Sequence, residues 1–390
     1  MKIVTVVGAR PQFIKAAAVS RAISAHNRAI NNPQSTIQEI IVHTGQHFDA
    51  NMSDIFFEEM QIPVPNYHLE INSMGHGAMT GRMLERIEEI LLKEKPDFVM
   101  VYGDTNSTLA GALAAKKLHI KVVHVEAGLR SYNMRMPEEI NRILTDRISD
   151  ILCCPTDNAV ENLKSEGFEH FPCTIANTGD VMQDAAFFYS KFSAGKSTII
   201  NTLELAGREF VLCTIHRAEN TDDESRLRNI INALLEVSND LPVVLPLHPR
   251  TQKIIDTTLS DLRLPIHYKL KILPPVGYFD MLELLKHTKC VLTDSGGLQK
   301  EAYFFKKACI TLRDETEWVE LVQTGVNQLV GADTVRILEA VLSTKTPRSF
   351  GEDLYGNGSA SNNILNALDR NHVTFFRKVE FNSGNEGCSA

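Results

Sequence analysis

Cys290-Val291-Leu292-Thr293-Asp294-Ser295-Gly296-Gly297-Leu298-Gln299-Lys300-Glu301-Ala302 decides the fold of this chain. The apolar run at its start reads as a buried strand, and a helical pattern opens at Ser295, so the unit is strand, tight turn, helix. A Ser-Gly-Gly turn there supplies a helix cap, room for close backbone approach, and N–H groups aimed at an anion. Glu301 lies four residues after Gly297, one turn down the same face, where a carboxylate would hold sugar hydroxyls. A lone turn of this kind is more often an ordinary connection. What matters is whether the unit repeats along the chain.

It repeats almost throughout. Outward from that stretch, strands are expected at Phe210–Ile215, Val243–Pro246, Leu270–Leu273 and Cys309–Leu312, with helices near Glu224–Ser238, Phe279–His287 and Ser295–Phe305. The first half offers strands at Ile3–Val7, Glu39–His43, Phe98–Tyr102, Val122–Val125 and Ile151–Cys154. Helices alternate with them near Phe13–Ser24, Met79–Lys93, Ser107–Lys117, Pro137–Arg147 and Asn158–Ser165. Strand–helix alternation is the signature of parallel α/β sheets, whose ligands bind at the carboxyl ends of the strands. The fold class expected is α/β: two doubly wound, Rossmann-like parallel-sheet domains facing a cleft. The rhythm breaks into a polar stretch between Asp180 and Gly207, so the domains are set at 1–180 and 181–357. A last helix near 358–370 would pack back on the first domain, and 381–390 reads as a disordered tail.

Composition narrows the function. At 390 residues, two domains are the natural expectation, and 43% hydrophobic with 23% charged residues is a soluble globular balance. A net charge of −8 opposes non-specific nucleic-acid binding. Seven unpatterned cysteines suit a reducing cytoplasm. The N-terminal Met1–Val7 run is too short for a signal sequence, and no apolar run approaches a membrane span. No Gly-x-Gly-x-x-Gly follows a strand, so NAD or FAD is not expected. Clustered cysteines are also missing and the carboxylates are spread over separate loops, so a metal is not expected either.

The strand ends carry the chemistry. Gly8-Ala9-Arg10-Pro11 follows the first strand, with Lys15 a turn on. Arg10 is a fork suited to a diphosphate, though two solvated cations on a turn would read the same. Asp104 in Gly103-Asp104-Thr105 follows the third strand as a candidate carboxylate or as a helix cap. His124-Val125-Glu126-Ala127-Gly128-Leu129-Arg130 ends the next strand, and Glu126 there is harder to explain as a cap. Glu138 opens a helix, where a carboxylate is also an ordinary dipole partner. Carboxylates sharing one edge raise one another's pKa, which lets acid and base coexist near neutrality. His216-Arg217 and His248-Pro249-Arg250 end successive strands of the second half and favour anion binding. Tyr278 is either a ring offered to a base or a core aromatic.

Taken together these motifs resemble the non-hydrolysing UDP-N-acetylglucosamine 2-epimerases, over roughly residues 1–370. The likeness rests on Gly-Ala-Arg-Pro, Gly-Asp-Thr, His-Val-Glu-Ala-Gly-Leu-Arg, Pro-Glu-Glu-x-Asn-Arg, His-Arg-x-Glu-Asn and Thr-Asp-Ser-Gly-Gly-x-Gln in consistent order. It implies the GT-B-like fold and a cofactor-free inversion of C2 of a UDP-2-acetamido sugar, by elimination of UDP to a glycal and re-addition. By position it implies Asp104, Glu126, Glu138 and His216 as catalytic residues. It implies Arg10, Lys15, Ser295, Gly296, Gly297 and Glu301 as UDP ligands, and a cytoplasmic homodimer.

Three departures stand out. Gln12 replaces the common Glu after Arg-Pro, and the bridge from Glu126 to Glu138 is short. The loop that binds an activating second substrate in many bacterial members reads Gln46-His47-Phe48-Asp49-Ala50-Asn51-Met52. The short bridge, His248–Thr251, Gly179–Met182 and the Arg313–Trp318 stretch are more similar to a subgroup acting on UDP-2,3-diacetamido-2,3-dideoxyglucuronate for surface polysaccharides such as O-antigen. The extra C6 carboxylate would be met by Arg130 and Arg135, with Arg313, His248, Arg250 and Tyr278 completing the substrate site. UDP-N-acetylglucosamine is the alternative substrate. A hydrolysing epimerase, a glycosyltransferase on the same fold and a non-catalytic nucleotide-sugar sensor are the more distant readings.

Overall fold

The computed structural model describes residues 1–30, 35–46, 63–258, 269–344, 350 and 353–383. The chain divides into two compact units, Met1–Ala185 together with the chain from Asp353 on, and Ala186–Glu352.

The first unit is built on a seven-stranded sheet with strands in the order β3-β2-β1-β4-β5-β6-β7. These are β1 (Lys2–Val7), β2 (Gln38–His43), β3 (Tyr67–His68), β4 (Phe98–Tyr102), β5 (Lys121–Val125), β6 (Ile151–Cys154) and β7 (Thr174–Asn177). Every pairing is parallel. Continuous apolar runs such as Phe98–Tyr102 are buried along their whole length, as a sheet covered on both faces requires. Helices α1 (Arg10–Ala29), α2 (His76–Glu94), α3 (Asn106–Lys117), α4 (Pro137–Ile148) and α5 (Asp157–Ser165) connect the strands. Chain order reverses between β1 and β4, the switch point at which such sheets bind ligands.

The second unit repeats the scheme with six parallel strands in the order β10-β9-β8-β11-β12-β13. They are β8 (Val211–Thr214), β9 (Val243–Pro246), β10 (Leu270–Leu273), β11 (Cys290–Thr293), β12 (Ala308–Thr311) and β13 (Asn327–Leu329). Its switch point lies between β8 and β11.

The polar stretch expected as a break is helical instead: α6 (Val181–Lys196) carries the chain from the first unit into the second. Its buried positions, Val181, Met182, Gln183, Ala185, Ala186, Tyr189 and Ser193, mix polar, small and bulky residues, so the burial face lacks the uniform apolar stripe that marks a helix in sequence. In the second unit follow α7 (Glu224–Asp240), α8 (Pro249–Thr258), α9 (Tyr278–His287), α10 (Gly296–Phe304) and α11 (Thr334–Ser343). The last helix, α12 (Ala360–Ser383), belongs to the first unit and packs on α1 and β6. It runs well past the expected end near 370, and Asp184 caps its start by accepting from the N–H groups of Ala360 and Ser361 at 3.1 and 2.8 Å. The expected tail therefore begins inside this helix, and its remainder, 384–390, lies outside the described residues. So does the activator-loop comparison at residues 47–52, apart from Gln46.

Candidate active site

The loop after β1 turns into α1 through Gly8 and Ala9. Gln12 accepts at Oε1 from the N–H groups of both, at 2.8 and 3.0 Å, and donates from Nε2 to the Tyr102 carbonyl and Thr108 Oγ1. A carboxylate cannot make the donating half, so Gln at this position fits the surroundings as found. A Cβ on Gly8 would lie 2.1 Å from Thr44 Oγ1, which fixes glycine there. Arg10 is half-buried at the helix start.

Lys15 reaches a place the sequence did not suggest. Its ammonium sits 2.7 Å from Glu126 Oε1, with the two side chains only 8% and 10% exposed. Glu126 holds φ at +71°, where a non-glycine residue costs on the order of 1–2 kcal/mol. Backbone strain of this kind concentrates at functional sites. A Cβ on Gly103 would lie 3.2 Å from Lys15 Nζ and 3.7 Å from Glu126 Oε1, so the β4 and β5 loops converge on that ion pair.

Asp104, next along, is ion-paired with Arg142 on α4, and its carbonyl accepts from Asn141 Nδ2 at 2.9 Å. The other arm of Arg142 donates to Glu139 Oε2 at 2.8 Å. Glu139 is fully buried and also accepts from Ser131 N, Ser131 Oγ and Tyr132 N. Glu138 beside it is exposed, as is Arg135 on the bridge. The neighbouring glutamates thus divide the work: Glu139 folds the bridge, and Glu138 faces outward.

Arg130 does not join Arg135 as a carboxylate fork. Its guanidinium is taken up by Asp146 Oδ2 at 2.7 Å, by Glu166 at 2.6 and 2.9 Å, and by the Leu129 carbonyl. With the residue 3% exposed, it holds the loop in place instead of meeting a ligand.

In the second unit the switch point carries Asp294, whose place in the Thr-Asp-Ser-Gly-Gly motif gives no sign of its role. Its carboxylate accepts from the N–H groups of His216 and Arg217 and from Asn220 Nδ2, and lies 3.0 Å from His216 Nδ1. Burial would raise the acid's pKa, but the His216 ring and the N–H donors outweigh it and hold the carboxyl below its usual range. The imidazole of His216 remains 53% exposed on this buried anchor.

Ser295 caps α10, its Oγ accepting from Leu298 N at 3.4 Å. The two glycines differ: a Cβ on Gly296 would lie 2.2 Å from Glu317 Oε1, whereas Gly297 is exposed with nothing nearer than 3.9 Å. Gly297 therefore leaves space above the helix N-terminus, where backbone N–H groups and the helix dipole favour an anion. Glu301 is buried one turn on and accepts from the Tyr278 hydroxyl at 3.0 Å. Tyr278 is 2% exposed and packs edge-on against Tyr189, so its ring belongs to the core instead of being offered to a base. Arg313 is equally buried, donating to Glu317 at 2.8 Å. His248 and Arg250 are exposed at the end of β9, with Arg250 on Asp222 at 2.8 Å.

Among the described residues no group of three or more His, Cys, Asp or Glu is placed to hold a metal ion. None of their helices is long and apolar enough to cross a membrane.

Two Rossmann-like sheets, each with its polar groups gathered at the switch-point edge, place the chain in the GT-B-like class of α/β enzymes. Residues 28–369 match the family described as UDP-N-acetylglucosamine 2-epimerase, and the chain belongs to that family of isomerases. It is 56% identical to the UDP-2,3-diacetamido-2,3-dideoxy-D-glucuronate 2-epimerase of Pseudomonas aeruginosa, over 94% of this chain and 99% of that one. It is 42% identical to a UDP-N-acetylglucosamine 2-epimerase of Methanocaldococcus jannaschii, again over 94% and 99%. The solved structure of the M. jannaschii UDP-GlcNAc 2-epimerase in complex with UDP-GlcNAc and UDP matches with a TM-score of 0.84 at 41% identity, covering 95% of this chain and 100% of that one.

Proposed function

We propose that this protein inverts C2 of UDP-2,3-diacetamido-2,3-dideoxyglucuronate, giving the mannuronate epimer without a redox cofactor. A carboxylate takes the C2 proton while the C1–O bond breaks, its electron pair leaving with the β-phosphate of UDP. The 2-acetamidoglycal so formed is reprotonated at C2 on the opposite face as UDP re-adds to C1, so atoms and charge balance over the cycle. Glu126, Asp104 and Glu138 are the candidates for the proton transfers. Fixed geometry suits that task, and the pairs Lys15–Glu126 and Arg142–Asp104 supply it for two of them. The bases and acids of such a step contribute roughly 10²–10⁴-fold each. His216, oriented by Asp294, is assigned to the leaving diphosphate. Arg10, Ser295–Gly297 and Glu301 are assigned to UDP, with the exposed His248 and Arg250 in support.

The observation that carries this reading is the convergence of Lys15, Gly103 and Glu126 at one sheet edge beside the Asp104–Arg142 pair. The choice of sugar is supported by the 56% identity to the Pseudomonas enzyme. Exposed Arg135 adds to it, because a guanidinium is the natural bidentate partner of a C6 carboxylate. Work in the cytoplasm as a homodimer, supplying a surface polysaccharide, completes the proposal. UDP-N-acetylglucosamine is the second reading, favoured by the 0.84 TM-score to the M. jannaschii enzyme.

NMR of the protein with each UDP-sugar alone tests the assignment. The expected result is the C2 epimer with UDP still attached, formed faster from the diacetamido uronate by kcat/KM. Free sugar plus UDP would indicate a hydrolysing enzyme, and turnover only with an added acceptor would indicate a transferase.

A further inference from the structure

Behind the carboxylate edge of the first sheet lies a buried chain of charge, and His124 stands at its centre. The ring is fully buried on β5, two residues before Glu126. Its Nδ1 lies 2.7 Å from Asp146 Oδ1 on α4, and its Nε2 lies 2.7 Å from the Gly103 carbonyl oxygen. A carbonyl oxygen only accepts, and an ionised carboxylate only accepts. Burial would raise the Asp146 pKa, but His124 and Arg130 more than reverse that and keep it ionised. A neutral imidazole has one N–H, so one of the two contacts would set lone pair against lone pair at hydrogen-bond distance. We infer that His124 carries both ring protons, a buried imidazolium that acts as a positioning residue for Asp104 and Glu126.

The surroundings fit a cation. His124 and Arg130 balance Asp146 and the half-buried Glu166, so the cluster is neutral as a whole. The other titratable groups facing Asp146 are the Cys154 thiol of β6 and the Cys173 thiol beside β7, and both are pushed up and stay uncharged. The connections explain what the extra proton does. Gly103 N donates to the Val125 carbonyl at 2.9 Å and Gly103 O accepts from His124, so β5 holds Gly103, the residue next to Asp104, by both its N–H and its C=O. Asp146 Oδ2 accepts from Gly128 N at 3.1 Å and from Arg130, which ties the Glu126 loop to the helix of Glu138 and Arg142. Removing one ring proton would turn one clamp into a repulsion, releasing either Gly103 or α4.

The positioning half of this inference rests on the epimerase reading; the protonation half does not. The test is ¹⁵N NMR of the full chain labelled at histidine, with His124→Gln used to assign the ring. At neutral pH both His124 nitrogens should show the shifts of an imidazolium, and a neutral tautomer would overturn the inference whatever the enzyme's substrate. With epimerisation established, His124→Gln and Asp146→Asn should each lower kcat by about 10-fold or more, the scale of one charged hydrogen bond. KM should stay within about threefold, because these residues touch no ligand. Unchanged kcat in folded variants would overturn the positioning role. If neither variant folds, the wild-type spectrum decides: the fully buried ring is recognised by its slowly exchanging N–H protons, and a single such proton would overturn the inference.

Discussion

At the edge of the seven-stranded sheet, carboxylates meet side-chain cations: Glu126 meets Lys15, Asp104 meets Arg142, and Asp146 meets His124 and Arg130. At the edge of the six-stranded sheet, Asp294 is met chiefly by backbone N–H groups and one exposed imidazole, and Gly297 leaves the turn above it open. The two edges share one strand–turn–helix unit and one kind of switch point, yet their charge is organised differently. Ion pairs lock side chains into fixed positions, which serves a group that must find one C–H bond. An open turn with directed N–H groups and no bulky side chain serves an incoming diphosphate. The contrast fits the proposed division, with chemistry at the first edge and UDP binding at the second.

The largest expected effect tests the first half of that division. Glu126→Gln, and separately Glu138→Gln, should lower kcat by at least about 10²-fold, the scale of general acid–base catalysis. Calorimetry should show UDP affinity changed by less than about threefold, as expected for a group acting only in the transition state. A matching loss of affinity would break the division.

The glycines sharpen the other half. Gly297→Ala meets nothing nearer than 3.9 Å, so its melting temperature should hold, while UDP affinity should fall by about tenfold, ~1.4 kcal/mol. Gly296→Ala would press on Glu317, a buried partner of Arg313, and should lower the melting temperature as well. UDP binding to Gly297→Ala as tight as wild type would remove the turn from the binding site.

Smaller effects follow. Glu301→Ala should raise KM more than it lowers kcat, with Tyr278→Phe as the control for the hydroxyl it leaves buried. Turnover abolished with UDP binding intact would reassign Glu301 to the chemistry. Arg135→Leu should narrow the kcat/KM gap between the uronate and UDP-N-acetylglucosamine; equal slowing of both would show that Arg135 does not read C6.

The smallest effect concerns acid stability. The folded pKa of Asp294 is depressed, so its contribution is present above the unfolded carboxylate value, about 3.9, and is lost as pH falls through the folded value. The melting-temperature advantage of wild type over Asp294→Asn should therefore shrink as pH drops below about 4. An advantage independent of pH would show that the loss comes from packing.

Much of this was legible in the sequence, and what was missed has physical causes. Strands such as Val243–Pro246 and Cys290–Thr293 are continuous apolar runs buried on both faces, and they stand where the pattern put them. Edge strand Thr174–Asn177 is only partly buried and carries no such run, so nothing marked it. The helix Val181–Lys196 hid because Gln183, Ala185, Ala186 and Ser193 interrupt the apolar stripe of its buried face. At the site, motif position located Asp104, Glu126, Glu138 and His216 at strand ends or a helix start, but partners are a property of the folded chain. Lys15 and Glu126 are 111 residues apart, and a lysine after Arg-Pro reads as a phosphate ligand. Arg130, two residues after Gly128, read as a substrate fork because Asp146 lies on a later helix and Glu166 just past the end of another. Glu139 was the exception with a usable signal: its i, i+3 spacing to Arg142 marks a helix-surface pair.

In the proposed reaction a side chain at the first edge removes the C2 proton while UDP departs. ¹H NMR of the reaction in D₂O, with UDP-2,3-diacetamido-2,3-dideoxyglucuronate as the sugar, tests it most directly. The expected epimer carries deuterium at C2 and at no other carbon, with UDP still attached. Deuterium at C4, or an epimer that keeps its original C2 hydrogen, would contradict it.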